Sequence, residues 1–409
     1  MVSKRKYILT IIVVVFVTAF LTLTLGNVFM VEIGQKVFLP KDEYSQMRRM
    51  TEKYAKQESI MQIAQRDFLY ETDEKVMLEG ALEGTLKALG DPYTQFMSKE
   101  EFEALMQDTE GSYEGIGVYI TASDDNKILI VSPIEDTPAE KAGLKTGDKI
   151  IRINGTEFTA DQIDAAVKIM KGEPGTSVTL TIQRVKSDGT HEISDVAVNR
   201  EKIRIKTIKP AILEDNIGYI RITTFDMQTA KDFKAAYAAL KNKGIDKLVI
   251  DLRYNPGGMI NSTVEISDLF MGEGIVTYTK TKAGEVEYFK SDKKMEDIPI
   301  ALLINEGSAS ASEIMAGAMK DTERATLIGT KTFGKGIVQK VQGFGNDGEG
   351  IKMTVSEYFT PAGINIHGIG IEPDIEIQLP EDAQGYGYEY YETDNQLQKA
   401  VEILREKQQ

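Results

Sequence analysis

The chain has 409 residues, enough for two or three domains, and with 42% hydrophobic residues it can bury a sizeable core. A formal net charge of −15 argues against nucleic acid as a partner, because phosphate binding needs a basic surface. The absence of cysteine excludes disulfides, thiol catalysis and cysteine-held metals; no His/Asp/Glu cluster has metal-ligand spacing, and no cofactor is called for.

Lys4, Arg5 and Lys6 precede an uncharged run from Tyr7 to Val28, which is long enough to span a bilayer of roughly 30 Å. The basic flank favours a cytoplasmic N-terminus and export of everything after it. A cleaved signal peptide is the competing reading. The run is long for such a segment and shows no A-x-A site, so residues 1–29 read as a cytoplasmic tip and uncleaved anchor in a cell membrane.

Residues 40–107 are expected to be helical. Met47, Met50, Tyr54, Ile60, Ile63 and Ala64 recur at three- and four-residue steps, as do Met77, Leu78, Ala81, Leu82, Leu86 and Leu89. From residue 111 the pattern changes. Glu114–Ile120 is a glycine-rich turn entering a strand, and Lys127–Ser132 reads as another strand. A short helix is expected over Thr137–Leu144. The run that follows it alternates apolar and polar residues and ends in an Asn154-Gly155 turn. Lys171 reads as a solvated charge.

Beyond residue 201, strands and helices alternate, as in a mixed α/β fold. Ile217–Ile222 reads as a strand, Ala230–Lys243 as a helix, and Lys247–Arg253 as a buried strand running into the turn Tyr254–Gly258. That Gly-Gly turn exposes unhindered N–H groups. Pro299–Ile304 reads as a buried strand. Ser310 and Glu313 then have the spacing of a capping box, with Ile314, Met315, Ala318 and Met319 at helical steps. Ser310 is therefore expected at a strand-to-helix handover, where the N–H of Ala311 is a candidate donor to an oxyanion. A nucleophilic serine needs a base. His191 and His367 are the only histidines, and nothing in sequence near His367 supplies an orienting acid. Lys335, between Gly334 and Gly336 and followed by Ile337 and Val338, is the alternative, since burial lowers a lysine pKa. Alone, Ser310 reads as a plain N-cap and Lys335 as a surface charge; together they change the reading. Asp321 reads as an exposed charge, and Asn395–Arg405 as a final amphipathic helix.

The run Gly307–Glu313, then Asp321, then Thr332–Gln339, closely resembles the carboxy-terminal processing (tail-specific) proteases. The resemblance continues through Leu89–Thr94, Asp251–Gly258, Tyr358–Gly363 and Gly368–Asp374, and covers nearly everything after the anchor. It implies Ser310 as nucleophile, Lys335 as base and Gln339 as the residue orienting the lysine. It also implies a second oxyanion donor at Gly257 or Gly258. Residues 111–200 resemble a PDZ domain of the circularly permuted bacterial type, with Gly115, Ile116, Gly117 and Val118 as the loop holding a peptide carboxylate. The expected organisation is a helical dimerisation region (30–110), the PDZ domain, a Ser/Lys protease core (201–385) and a C-terminal helical tail (386–409). The implied protein is a membrane-anchored, homodimeric serine endopeptidase acting on protein substrates with free C-termini. The alternative is a catalytically silent PDZ scaffold at the membrane surface.

Overall fold

A computed structural model of the chain describes residues 4–26, 31–33, 36–38, 40–186 and 188–406. The chain divides into two compact units, Met1–Thr85 and Leu86–Gln409. Asn27 and Val28, the end of the expected membrane run, lie outside the described residues.

In the first unit, Lys4–Gly26 is one helix, with no proline and no glycine before its last residue. Its Lys4–Thr22 part is long and apolar enough to cross a membrane. Lys41–Asp67 forms a second helix, on which Met47, Met50, Tyr54, Ile60 and Ile63 are exposed.

The second helical run stops where Gly90-Asp91-Pro92 is expected to end it, and the stretch to residue 107 is broken once more before it ends. The helix Glu74–Lys87 ends before Gly90, which takes a left-handed φ of 73° that glycine adopts without strain. Gln95–Met97 is instead a strand, with Phe96 and Met97 buried. Ser98 and Glu101 form a capping box that starts the helix Lys99–Glu110.

Residues 112–204 carry their own core. An antiparallel sheet runs His191–Asn199, Ser177–Val185, Lys149–Ile153, Ile128–Pro133, Val118–Ala122. Ile128, Ile130, Ile150, Ile153, Leu180 and Ile182 bury one face of it beneath the helix Ile163–Met170. Asn154 and Gly155 both take positive φ, the turn that the Asn-Gly pair predicts, and they join Lys149–Ile153 to Thr156–Glu157. The segment enters on Ser112–Gly115 and leaves on Glu201–Arg204, two strands paired side by side.

The remaining residues build the core that carries the site. Its elements are β1 (Ile208–Ile212), β2 (Ile217–Ile222), α1 (Thr229–Asn242), β3 (Lys247–Asp251), α2 (Ile260–Asp268), β4 (Gly274–Thr281), β5 (Val286–Ser291), β6 (Ile300–Ile304), α3 (Ala311–Asp321), β7 (Thr326–Gly329), β8 (Ile337–Phe344), β9 (Glu349–Phe359), β10 (Ile375–Glu376) and α4 (Asn395–Glu406). The main sheet has the order β1-β2-β3-β6-β7-β10 and is parallel except for the β1/β2 pair. β3 and β6 are buried at every position, as parallel strands covered on both faces must be. Leu248, Ile250, Ile300, Leu302 and Ile304 pack with α1, α2 and α3. The alternate residues Val249, Ala301 and Leu303 pack against Leu397, Ala400, Val401 and Leu404 of α4. The final helix thus covers the central strands on the second face of the sheet. A second sheet, β5-β4-β9-β8, also takes in Gln95–Met97, which pairs with Gly350–Lys352 of β9.

Candidate active site

β6 ends at Ile304, and the chain turns through Asn305–Ser310 before α3 begins. Ser310 sits at φ 54°, ψ −113°, a conformation that costs a non-glycine residue about 1–3 kcal/mol and persists only where its neighbours impose it. Here they do. The Ser310 N–H donates to Glu313 Oε2 at 2.9 Å, and the Glu313 N–H donates back to the Ser310 carbonyl at 2.8 Å. Tyr358 Oη donates to that same carbonyl at 3.1 Å. The flanking serines are structural. Ser308 Oγ accepts from Asn305 N–H (3.0 Å) and donates to the Leu252 carbonyl (2.8 Å), while Ser312 Oγ donates to the Asn255 carbonyl (2.9 Å).

These bonds clamp the Tyr254–Gly258 turn, which follows β3, to the start of α3. Asn255 is fully buried; its Nδ2 donates to the Ile222 carbonyl (2.9 Å) and its Oδ1 accepts from Gly257 N–H (2.9 Å). Gly257 has φ 101°, and a Cβ there would fall 2.8 Å from Ala311 N and 2.8 Å from Ser310 Cβ. Gly258, at φ 134°, would meet the Phe225 carbonyl oxygen at 2.0 Å. Both positions therefore exclude a side chain. Among the described residues, the N–H groups of Gly258 and Ala311 donate to no protein acceptor, whereas that of Gly257 is occupied.

Glu313 organises the second half of the site. Its fully buried carboxylate also accepts from Thr332 Oγ1 (2.6 Å), Gly334 N–H (2.6 Å) and Lys335 N–H (2.8 Å). One carboxylate thus ties the lysine loop to the serine turn. Lys335 is half-buried, and its ammonium lies 4.6 Å from the centre of the Tyr93 ring. Burial lowers its pKa from the ordinary lysine value, and the charge of Lys352 pushes the same way; Asp91 and Glu313 pull it back up.

Gln339 is not bonded to Lys335. In a strand, residues four apart stand roughly 13 Å apart. A bulge skips Val355, so that Gln339 faces Thr354, and its Nε2 donates to Thr354 Oγ1 at 3.3 Å. Ser310, Gln339, Ile314, Ile337, Val338 and Tyr358 line one cavity of ≈ 380 Å³, which supplies apolar walls beside the serine.

A third layer lies behind the turn. Arg253 is fully buried between Asp251 (2.6 Å) and Asp394 (2.8 Å), both also fully buried. Burial opposes the guanidinium charge, and the two carboxylates outweigh it, holding Arg253 firmly protonated. One surface reading holds and one is corrected by the structure. Asp321 is exposed, as expected, and accepts from the Ala362 N–H at 2.8 Å. Lys171 donates to Gln107 Oε1 at 3.4 Å and stands 5.6 Å from the Tyr113 ring centre. With Tyr113, Gly115, Ile116, Gly117 and Val118, Lys171 lines a groove of ≈ 140 Å³ between the Val118 strand and the Ile163 helix. Gly117 has φ 83°, and a Cβ there would strike Thr137 at 2.4 Å. The N–H groups of Ile116 and Gly117 are without acceptors among the described residues. Burial pushes the Tyr113 hydroxyl up to about 12.

A serine on an imposed turn at a helix start, lining an apolar cleft together with a glycine turn that carries a free N–H, suits a serine peptidase. Residues 216–377 match peptidase family S41, residues 129–184 a PDZ domain, and residues 26–101 the N-terminal domain of the activating protease CtpB. The chain is 40% identical over 324 residues to a carboxy-terminal-processing protease of Bartonella bacilliformis, covering 77% of this chain and 73% of that protein. It is 37% identical over 320 residues to the carboxy-terminal processing protease CtpA of Bacillus subtilis, covering 78% and 67%. A solved S41 protease structure from Bacteroides fragilis aligns at a TM-score of 0.50 and 18% identity, covering 79% of this chain and 90% of that one; it shows a shared fold alone. The chain belongs to the carboxy-terminal processing proteases of peptidase family S41, serine peptidases, and carries a PDZ domain.

Proposed function

We propose that this chain is a membrane-anchored endopeptidase that cleaves exported proteins near their C-termini, through an acyl-enzyme on Ser310. Lys335 accepts the Ser310 hydroxyl proton as the oxygen attacks the scissile carbonyl, then returns it to the leaving amine. The observation carrying this reading is the buried Glu313 carboxylate, bonded at once to the N–H of Ser310 and of Lys335. Gly258 and Ala311 are the oxyanion donors, because their N–H groups are unoccupied and that of Gly257 is not. Gln339 orients the lysine once the amine turns toward the serine.

The PDZ groove reads the substrate C-terminus and gates the site. The free N–H groups at Ile116 and Gly117 suit a carboxylate, with the Lys171 charge at the same groove. The test compares two peptides of one sequence, one ending in a free acid and one amidated. The acid is expected to be cleaved several-fold faster at sub-saturating concentration, and Ser310→Ala to cleave neither. Equal rates for acid and amide would remove the C-terminus-reading role; cleavage by Ser310→Ala would remove the nucleophile.

On this reading residues 1–29 anchor the chain, 30–110 dimerise it, 111–200 form the PDZ domain, 201–385 the catalytic core and 386–409 its helical tail. Lys4, Arg5 and Lys6 keep the N-terminus cytoplasmic. Protease added outside intact protoplasts is expected to degrade a C-terminally tagged chain. Protection of the tag until lysis would overturn this topology.

A further inference from the structure

The turn Asp91–Thr94 lies against both the lysine and the glutamine of the site. Tyr93 presents its ring to the Lys335 ammonium at 4.6 Å, while among the described residues that ammonium has no hydrogen-bond or ion-pair partner. A ring face attracts a cation and shields it from water. Thr94 is buried. Its Oγ1 donates to Asp91 Oδ2 at 2.6 Å and accepts from the Thr354 N–H at 3.0 Å. Thr354 is the residue whose hydroxyl holds the Gln339 amide. Asp91 closes the set: its Oδ1 accepts from Tyr93 N–H at 3.1 Å, and although burial raises its pKa, hydrogen bonds from Thr354, Thr94 and Tyr93 hold it below the usual carboxylate range. The neighbouring strand Gln95–Met97 is paired to β9, so the turn is fixed to the sheet that carries Thr354.

We propose that Tyr93 and Thr94 are positioning residues for peptide-bond hydrolysis, Tyr93 holding the Lys335 amine by its ring and Thr94 holding Gln339 through Thr354. A single turn, remote in sequence from the Ser310–Gln339 stretch, thereby sets where the base and its orienting residue stand relative to Ser310. The inference rests on the assignment of Lys335 as base. It adds that the geometry of that base is not fixed by its own loop, since Glu313 fixes only the loop backbone. The side chain reaches the amine's working position along the Tyr93 face, and Gln339 is kept on the bulge by a hydrogen-bond relay ending at Asp91.

The test measures kcat and KM of the full chain in detergent on a free-acid peptide, for Tyr93→Leu, Tyr93→Phe, Thr94→Val, Thr94→Ser and Lys335→Ala. Thr94→Val keeps the shape of the side chain and removes its hydroxyl; Tyr93→Leu keeps apolar bulk and removes the ring. Both are expected to lower kcat by about tenfold or more with KM held within about twofold, as misplacement of a reacting group does. Thr94→Ser and Tyr93→Phe, which restore the hydroxyl and the ring, are expected to recover kcat to within about threefold of wild type. Wild-type kcat in Thr94→Val and Tyr93→Leu, or equal losses in the conservative pair, would overturn the inference, as would a loss confined to KM. Should one of the two disruptive variants fail to fold, the other decides alone. Lys335→Ala separates the layers. If it is inactive while Thr94→Val and Tyr93→Leu work normally, only the positioning role falls. If it turns over substrate, the base assignment falls and this inference with it.

Discussion

Lys335→Arg is expected to be folded and inert. An ordinary lysine has a pKa of roughly 10.4 and is protonated at neutral pH, which makes it useless for accepting the Ser310 proton. Burial lowers the Lys335 value, with the Lys352 charge acting in the same direction. The sign follows: activity is absent where the ammonium is protonated and rises with pH as it deprotonates. For the wild type, kcat/KM should rise through one ionisation lying below the ordinary lysine value. A guanidinium stays charged throughout this range, so arginine keeps the charge and loses the chemistry. The loss is expected to be at least about a hundredfold, and as much as ten-thousandfold, as for removal of a general base. Ser310→Ala should be at least as severe. The check is a pH–rate profile of kcat/KM for wild type, Lys335→Arg and His367→Ala. An active Lys335→Arg enzyme would refute the assignment, and so would an ionisation that vanishes with His367→Ala. The second control has a structural motive: His367 acts electrostatically on Asp91, an acid that sequence proximity does not reveal.

Asp394→Ala should be strongly destabilising. Its carboxylate takes both ends of the Arg253 fork, at 2.9 and 2.8 Å, and also accepts from the N–H groups of Gly387 (2.7 Å) and Leu397 (3.0 Å). Truncation leaves a buried guanidinium with Asp251 as its one carboxylate partner, and two buried N–H donors lose their acceptor. Breaking a buried pair in this way costs about 3–5 kcal/mol. The measurement is the urea midpoint of the transition of the 86–409 unit, with Asp394→Asn as the intermediate case. An unchanged midpoint for the alanine variant would show that α4 does not hold the sheet through this contact. Peptidase activity should fall as well, because Arg253 stands two residues before Asn255, which braces the glycine turn.

Much of this architecture is legible in the chain because local physics writes it there. The apolar runs Leu248–Ile250 and Ile300–Ile304 announce buried parallel strands, and the Ser310/Glu313 spacing announces the helix start between turn and core. The Asn154-Gly155 pair specifies its turn. What stays hidden depends on partners distant in sequence. Glu313 reads as a capping residue, yet its other three bonds go to residues 19 to 22 positions away. Asp394 meets Arg253 across 141 positions. The strand Gln95–Met97 has only three residues and pairs more than 250 positions away, so helical spacing on either side masks it. Ser310 alone of the three neighbouring serines has a glutamate three positions on, but the carbonyls that occupy Ser308 and Ser312 cannot be read from the sequence. The bulge at Val355 has no signature in the pattern, which is why the glutamine's partner could not be read.

The paired strands Ser112–Gly115 and Glu201–Arg204 make the PDZ domain a cassette. Ser112 and Arg204 face each other across one antiparallel ladder, so the chain departs from the core and returns to it at neighbouring points. Such an insertion can be lengthened, exchanged or excised without asking the core to re-route its backbone, since a short loop spans the gap left behind. On the proposed reading, in which the PDZ groove holds the substrate C-terminus, recognition is thereby separable in inheritance from chemistry. On that reading, one catalytic core acquires new clients by changing only what hangs between two adjacent strands.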